Sequence, residues 1–137
     1  MVLGAVWLSA VTGVFAQQAD DVKGTWVNEN KDVKVEFSRT GDQFNGKITW
    51  SANMYEADGK TLKKDVNNGK EELRNRTLFN LVIFSGLSFR EGEWTGGELY
   101  DPKSGKTYKC KMWLKEGRLQ IRGYAGMFGK TTEWTRG

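Results

Sequence analysis

Val33-Lys34-Val35-Glu36-Phe37-Ser38 alternates apolar and polar residues without a break, the two-residue period of a strand with one face buried. Thr40-Gly41-Asp42 is turn chemistry. Phe44 to Trp50 then alternates again, with Phe44, Ile48 and Trp50 read on one face, so the two runs predict a hairpin. Leu78 to Phe89 is a longer apolar run. Its β-branched pair and Gly86 favour one strand with a bend or bulge over a helix. Beyond it lies a meander. Glu93–Tyr100 leads into Asp101-Pro102-Lys103-Ser104-Gly105, where Pro presets one dihedral and Gly tolerates another. Thr107–Leu114 returns with Tyr108, Cys110, Met112 and Leu114 on one face, Glu116-Gly117 turns the chain, Leu119 and Ile121 carry the next strand, and Phe128–Arg136 closes it. With Gly24–Glu29 the pattern predicts eight strands, one long connection over Ala52–Asn75, and no helix beyond a single turn around Lys70–Arg74.

Eight sequentially connected antiparallel strands form either a closed up-and-down barrel or a sandwich. A sandwich needs long Greek-key crossovers, and only one long connection is present, so an all-β, eight-stranded antiparallel up-and-down barrel is expected. Gly24-Thr25-Trp26 opens the first strand and Trp134-Thr135-Arg136 ends the last. In a barrel these strands are neighbours, which predicts the Arg136 guanidinium over the Trp26 indole as a plug, with Gly24 allowing close backbone packing. This Gly-x-Trp with a terminal Arg resembles the signature of lipocalins and their calycin relatives.

A narrower resemblance runs through Gly46-Lys47-Ile48-Thr49-Trp50, Lys64-Asp65-Val66-Asn67-Asn68 and Leu73-Arg74-Asn75-Arg76. It continues through Leu99-Tyr100-Asp101-Pro102, Ser104-Gly105-Lys106-Thr107-Tyr108, Arg122-Gly123-Tyr124-Ala125-Gly126 and Phe128 to Arg136. These stretches resemble the bacterial exported family catalogued as domain of unknown function 2147. The resemblance implies a lipocalin-like barrel in the bacterial envelope, with no established activity and no catalytic residues to carry over. The chain departs from the family pattern at Gly69 and Thr77, where Pro is frequent, and both changes loosen the long connection.

Composition narrows the chemistry. The 137 residues are 38% hydrophobic and 28% charged, a globular balance with room for one domain. There is no His and a single Cys, Cys110, which removes Ser-His and Cys-His hydrolases, His-ligated metals, zinc ribbons and any intramolecular disulfide. Met1–Ala16 carries no charge, and 12 of its 16 residues are apolar. That is too short to span a bilayer, and small residues two apart, Val14-Phe15-Ala16, end it at a signal-peptidase pattern. Residues 1–16 are therefore expected to be a secretory signal truncated at its N-terminus, since the basic n-region is missing. A buried N-terminal helix and a lone membrane anchor are the alternatives. Residues 17–137 then form the single barrel domain, without a transmembrane segment, exported to the periplasm or secreted. The net charge is +4. Lys and Arg alternate with Asp and Glu without a block of like charge, which fits solubility better than nucleic-acid binding, and acidic lipids or polysaccharides are the envelope neighbours such a charge suits.

Few residues support catalysis. Glu98 and Asp101 are the nearest thing to a glycosidase pair, which needs carboxylates roughly 5–10 Å apart. The structural expectation is that Asp101 caps its turn while Glu98 meets a Lys or Arg. Asp65-x-Asn67-x-Gly69 falls short of a calcium loop, because Gly comes one position early and Arg76 stands where a bidentate Glu belongs. Asp65 is expected to meet Arg74 or Arg76 across the long connection; alternatively one of these arginines anchors a ligand carboxylate or phosphate. Cys110 reads as a buried, inert thiol. Trp50, Phe84, Trp94, Tyr108, Met112 and Tyr124 are the candidate ligand-binding set, with Arg74 and Arg76. They either line a cavity or fill the barrel solidly, and Gly46, Gly96, Gly97 and Gly123 favour space or bends. The function expected is non-catalytic: holding a small apolar or amphipathic molecule, lipid-like or fatty-acid-like, inside the barrel, with no cofactor or metal. The alternative is a solid envelope interaction module. Neither reading defines an oligomeric state.

Overall fold

The structure, a computed structural model, describes residues 18–137; the signal-peptide expectation for residues 1–16 lies outside the described residues. Eight strands run in order around a closed antiparallel barrel: β1 (Gly24–Val27), β2 (Val33–Thr40), β3 (Gln43–Ser51), β4 (Val82–Arg90), β5 (Glu93–Asp101), β6 (Lys106–Lys115), β7 (Arg118–Ala125) and β8 (Phe128–Arg136). Trp26 pairs with Arg136 and Val27 with Thr135, which joins the last strand to the first. The predicted architecture is the observed one.

Two boundaries differ from expectation, each for a local reason. β1 stops at Val27 because the Asn28 side chain takes over the hydrogen bonding, accepting from the N–H groups of Asp32 and Val33 at 3.0 Å each. β4 begins at Val82 rather than Leu78, since Asn80 sits at φ +66°, a conformation that ends a strand and that Asn tolerates. The expected bend at Gly86 is present, with φ +72°. Around Lys70–Arg74 the chain makes one 3-10 turn, Glu71–Leu73.

One end of the barrel is plugged. A 3-10 turn, Ala19–Val22, crosses it, and its carbonyls accept from both indoles: Trp26 Nε1 donates to Val22 at 2.8 Å and Trp94 Nε1 to Ala19 at 3.0 Å. The Arg136 guanidinium lies 4.0 Å from the Trp26 ring centroid and donates to the carbonyls of Asp21 and Lys23 at 2.6 and 2.7 Å. A Cβ on Gly24 would come within 3.0 Å of that guanidinium, so the Gly-x-Trp pattern and the terminal Arg form one device.

Inside, the lumen is filled by side chains. Phe44, Leu87, Trp94, Met112 and Leu119 have no exposure at all, and Phe37 and Phe84 have 2% and 1%. Phe84 packs against Phe37 at 5.1 Å between ring centroids and edge-on to Trp134 at 6.2 Å, bridging opposite walls. Glycines within the strands take part in this filling. A Cβ on Gly46 would meet Phe37 at 2.8 Å, and one on Gly97 would meet Leu87 at 2.5 Å, so both leave room that a large neighbour occupies. Gly96, at φ +74°, is the bend where β5 slips register against β6. A Cβ on Gly96 would meet nothing within 4 Å, and one on Gly123 would make ordinary contact with Leu99 at 3.8 Å, so these two do not serve the filling.

Candidate functional site

Residues 52–81, between β3 and β4, form a strap that folds over the outer wall of β4, β5 and β6. Alternation defines that outer face. Phe84 and Leu99 pair and point inward, so Ile83, Ser85, Glu98 and Tyr100 point outward. On β6, Cys110 and Met112 are inward, which puts Thr107 outward beside Tyr100. Ile83 is nonetheless buried, because the strap covers it.

A single carboxylate organises the strap. An isolated antiparallel bridge between Lys64 and Thr77 sets Asp65 opposite Arg76, and the Asp65 N–H donates to the Arg76 carbonyl at 2.9 Å. Asp65, 1% exposed, accepts four side-chain hydrogen bonds. Arg76 Nε and Nη2 donate at 3.2 Å each and Asn68 Nδ2 at 2.9 Å to Oδ2, while the Tyr100 hydroxyl donates at 2.6 Å to Oδ1. A buried carboxylate needs this degree of pairing to offset its lost hydration. Burial and the Asp65 carboxylate together push the Tyr100 hydroxyl up to about 12, so it stays a donor. Asn67 ties the strap to the β5–β6 turn, donating to the carbonyls of Pro102 and Lys103 at 3.2 and 3.0 Å. Gly105 is required there, since a Cβ would run into the Asn67 carbonyl oxygen.

Between strap and wall lies a cleft of ≈ 340 Å³. Leu73, Val82 and Ile83 supply its apolar surface; Lys70, Arg76, Ser85, Glu98, Tyr100 and Thr107 supply its polar groups. Arg76 Nη1 has no hydrogen-bond partner among the described residues, since Nε and Nη2 hold Asp65.

The sequence-predicted ligand set is not brought together. Phe84, Trp94 and Met112 are packed in the lumen. Tyr108 points inward, half-buried opposite Leu99 near the open end. Trp50 was expected on the inner face with Phe44 and Ile48, and the structure turns it outward. Val35 pairs with Ile48 but Lys34 with Trp50, so Thr49 is an extra residue that reverses the alternation. The indole lines an outer depression of ≈ 440 Å³, with the Lys34 ammonium 6.0 Å from the ring centroid. Tyr124 also faces outward, beside Arg122, because it alternates with inward Gly123 and pairs with outward Lys109. Arg76 reaches the cleft; Arg74 instead donates from Nε to the Asn68 carbonyl at 2.7 Å.

The remaining candidates take structural places. Asp101 accepts from the Lys103 N–H and the Ser104 hydroxyl, capping its turn, and Glu98 lies 4.0 Å from Lys109. Cys110 is buried, which pushes its thiol up to about 12 with help from the Glu98 charge. The cleft residues Ile83, Ser85, Tyr100 and Thr107 were missed as a site. One signal pointed to them: Leu81-Val82-Ile83-Phe84 is apolar on both faces, the mark of a strand covered on both sides.

A closed, eight-stranded up-and-down barrel with a 3-10 turn across one end and an Arg–Trp plug is a lipocalin-like barrel. Residues 24–136 match the family described as "Uncharacterized protein conserved in bacteria (DUF2147)", and the chain belongs to it. Among solved structures it is similar to protein HP1028 from the human pathogen Helicobacter pylori, which belongs to the lipocalin family. The identity is 27% and the TM-score 0.71, with 84% of this chain and 82% of that chain covered. No curated protein matches.

Proposed function

We propose that this is an exported, non-catalytic binding protein that takes a small amphipathic ligand in the cleft under the strap. The observation that carries the reading is the cleft itself. Its ≈ 340 Å³ falls in the range of small-molecule sites, and it joins an apolar floor to cationic groups, while the lumen of the same barrel is already occupied. A short acyl chain lies on Leu73, Val82 and Ile83, and its anionic head meets Lys70 and the free side of Arg76. Likeness to a lipocalin supports ligand binding as the general role. Export rests on the apolar segment Met1–Ala16, with the periplasm or the medium as destination.

Titration calorimetry with decanoate tests the site. Ser85→Trp, which fills the cleft from β4, abolishes binding, whereas Tyr108→Trp at the open end of the lumen leaves it intact. The reverse pattern moves the ligand into the barrel mouth. The filled lumen favours a second reading, an envelope interaction module without a ligand. It prevails if decanoate does not bind and native mass spectrometry of the purified protein finds no co-purifying small molecule.

A further inference from the structure

The most exposed large apolar residues of the described chain are adjacent. Met127 is 97% and Phe128 81% exposed, at the apex of the β7–β8 hairpin. Ala125 pairs with Phe128, so only Gly126 and Met127 form the turn, and Gly126 at φ +63° supplies the backbone that a tight hairpin needs. The apex is therefore a short, well-defined wedge held out at the strap-bearing end of the barrel.

Its surroundings are cationic. Between Pro102 and Thr132 the chain carries 8 Lys or Arg and 1 acid, Glu116. Lys115, Glu116 and Arg118 lie at the plugged end, and Lys109 and Lys111 pair with Glu98 and Glu93, which leaves Lys103, Lys106, Arg122 and Lys130 toward the apex. Lys130 pairs with Gly123 and Arg122 with Thr131, just behind the apex. Lys103, Lys106, Arg122 and Lys130 have no acidic partner within ion-pair distance among the described residues. At about 3.3 Å per residue, Lys130 sits roughly 7 Å behind Phe128. That matches the depth between an inserted side chain and the phosphate layer of a bilayer, about 5–10 Å.

We infer that the β7–β8 hairpin is a membrane-docking element, with Met127 and Phe128 entering an anionic lipid surface and the basic wall of β6–β8 meeting its phosphates. A two-residue apex is far smaller than the roughly 800 Å² per partner of a stable protein interface, but suffices as an apolar wedge that charge attraction reinforces. The inference does not depend on the strap cleft holding a ligand.

Co-sedimentation with phosphatidylglycerol–phosphatidylcholine vesicles tests it. The full chain and the chain from Gln18, which contains all eight strands, are each compared with their own variants, so Met1–Ala16 contributes equally to both sides. Met127→Ser with Phe128→Ser lowers vesicle partitioning about tenfold or more, the loss expected for two inserted apolar side chains. Lys130→Glu lowers it less, and about 1 M salt suppresses what the charges contribute. An unchanged circular dichroism melt shows that the barrel tolerates changes at exposed positions. Absence of binding to the anionic vesicles, or equal binding by the serine variant, overturns the inference. So does a concentration-dependent dimer that the serine variant abolishes without lipid, which assigns the apex to a second copy of the chain.

Discussion

The plugged base of the barrel and the strap at its other end solve the same problem, holding a cover against a sheet, with opposite chemistry. At the base the 3-10 turn is held by two indoles that bury their rings in the lumen and give their N–H groups to its carbonyls, with the Arg136 guanidinium on the Asp21 carbonyl. Apolar area does the work there, and the hydrogen bonds choose the position. The strap has few large side chains to bury, and one buried carboxylate gathers an arginine, an asparagine and a tyrosine from three places along the chain. A cover built on packing leaves no room beneath it. One held at points by hydrogen bonds leaves gaps between those points, and the cleft is such a gap. The accessible space therefore lies on the outer wall, under the strap, while the lumen is packed.

The largest expected effect tests the filled lumen. Phe84→Ala removes the ring that bridges Phe37 and Trp134, and loss of a large buried side chain costs about 3–5 kcal/mol when the surroundings cannot collapse. Urea unfolding measures it. A loss near 1 kcal/mol instead means that space already exists around the ring, and the contrast between packed base and open strap fails. At the strap, Asp65→Ala deprives Tyr100 and Asn68 of their acceptor. Arg76, whose side chain is 40% exposed, then turns to water. The cost expected is about 2–3 kcal/mol, below that of a fully buried pair. Limited proteolysis distinguishes a local from a global effect: cleavage at Lys63, Lys64 or Arg74 rises before the barrel itself opens. Protection equal to the wild type shows that the strap is held by its backbone bonds alone.

The same contrast sets what is legible from sequence. Strands such as Val33–Thr40 announce themselves because one-sided burial imposes a two-residue period, and the Trp26–Arg136 plug follows once the ends of a barrel are known to meet. Facing is legible only as far as the register is regular. The extra residue at Thr49 sends Trp50 outward, and nothing in Phe44–Trp50 distinguishes that bulged strand from a regular one. The strap is less legible again. The sequence pairs Asp65 with Arg74 or Arg76, but the choice depends on the Lys64–Thr77 bridge, and the Asn67 bonds to Pro102 and Lys103 span 35 and 36 residues without a periodic signal. The cleft inherits this, being defined by a loop whose path no local pattern dictates.

The smallest effect is a dependence on pH that belongs to the strap and not to the base. Tyr100 is held protonated in the folded protein, its hydroxyl pushed from 10.0 to about 12 by burial and by the Asp65 carboxylate that accepts its hydrogen bond. The unfolded chain loses this proton near pH 10, so folding binds it more tightly than unfolding does. The contribution of Tyr100 to stability is therefore complete below pH 10 and is lost as the pH rises through about 12. Urea midpoints measured across that window fall in the wild type, and Tyr100→Phe, which keeps the ring but has no proton to lose, flattens the slope. The spectrophotometric titration at the tyrosinate band changes in parallel, with a step near pH 12 missing from the variant. If the slope persists in Tyr100→Phe, the hydroxyl is not what couples the strap to β5.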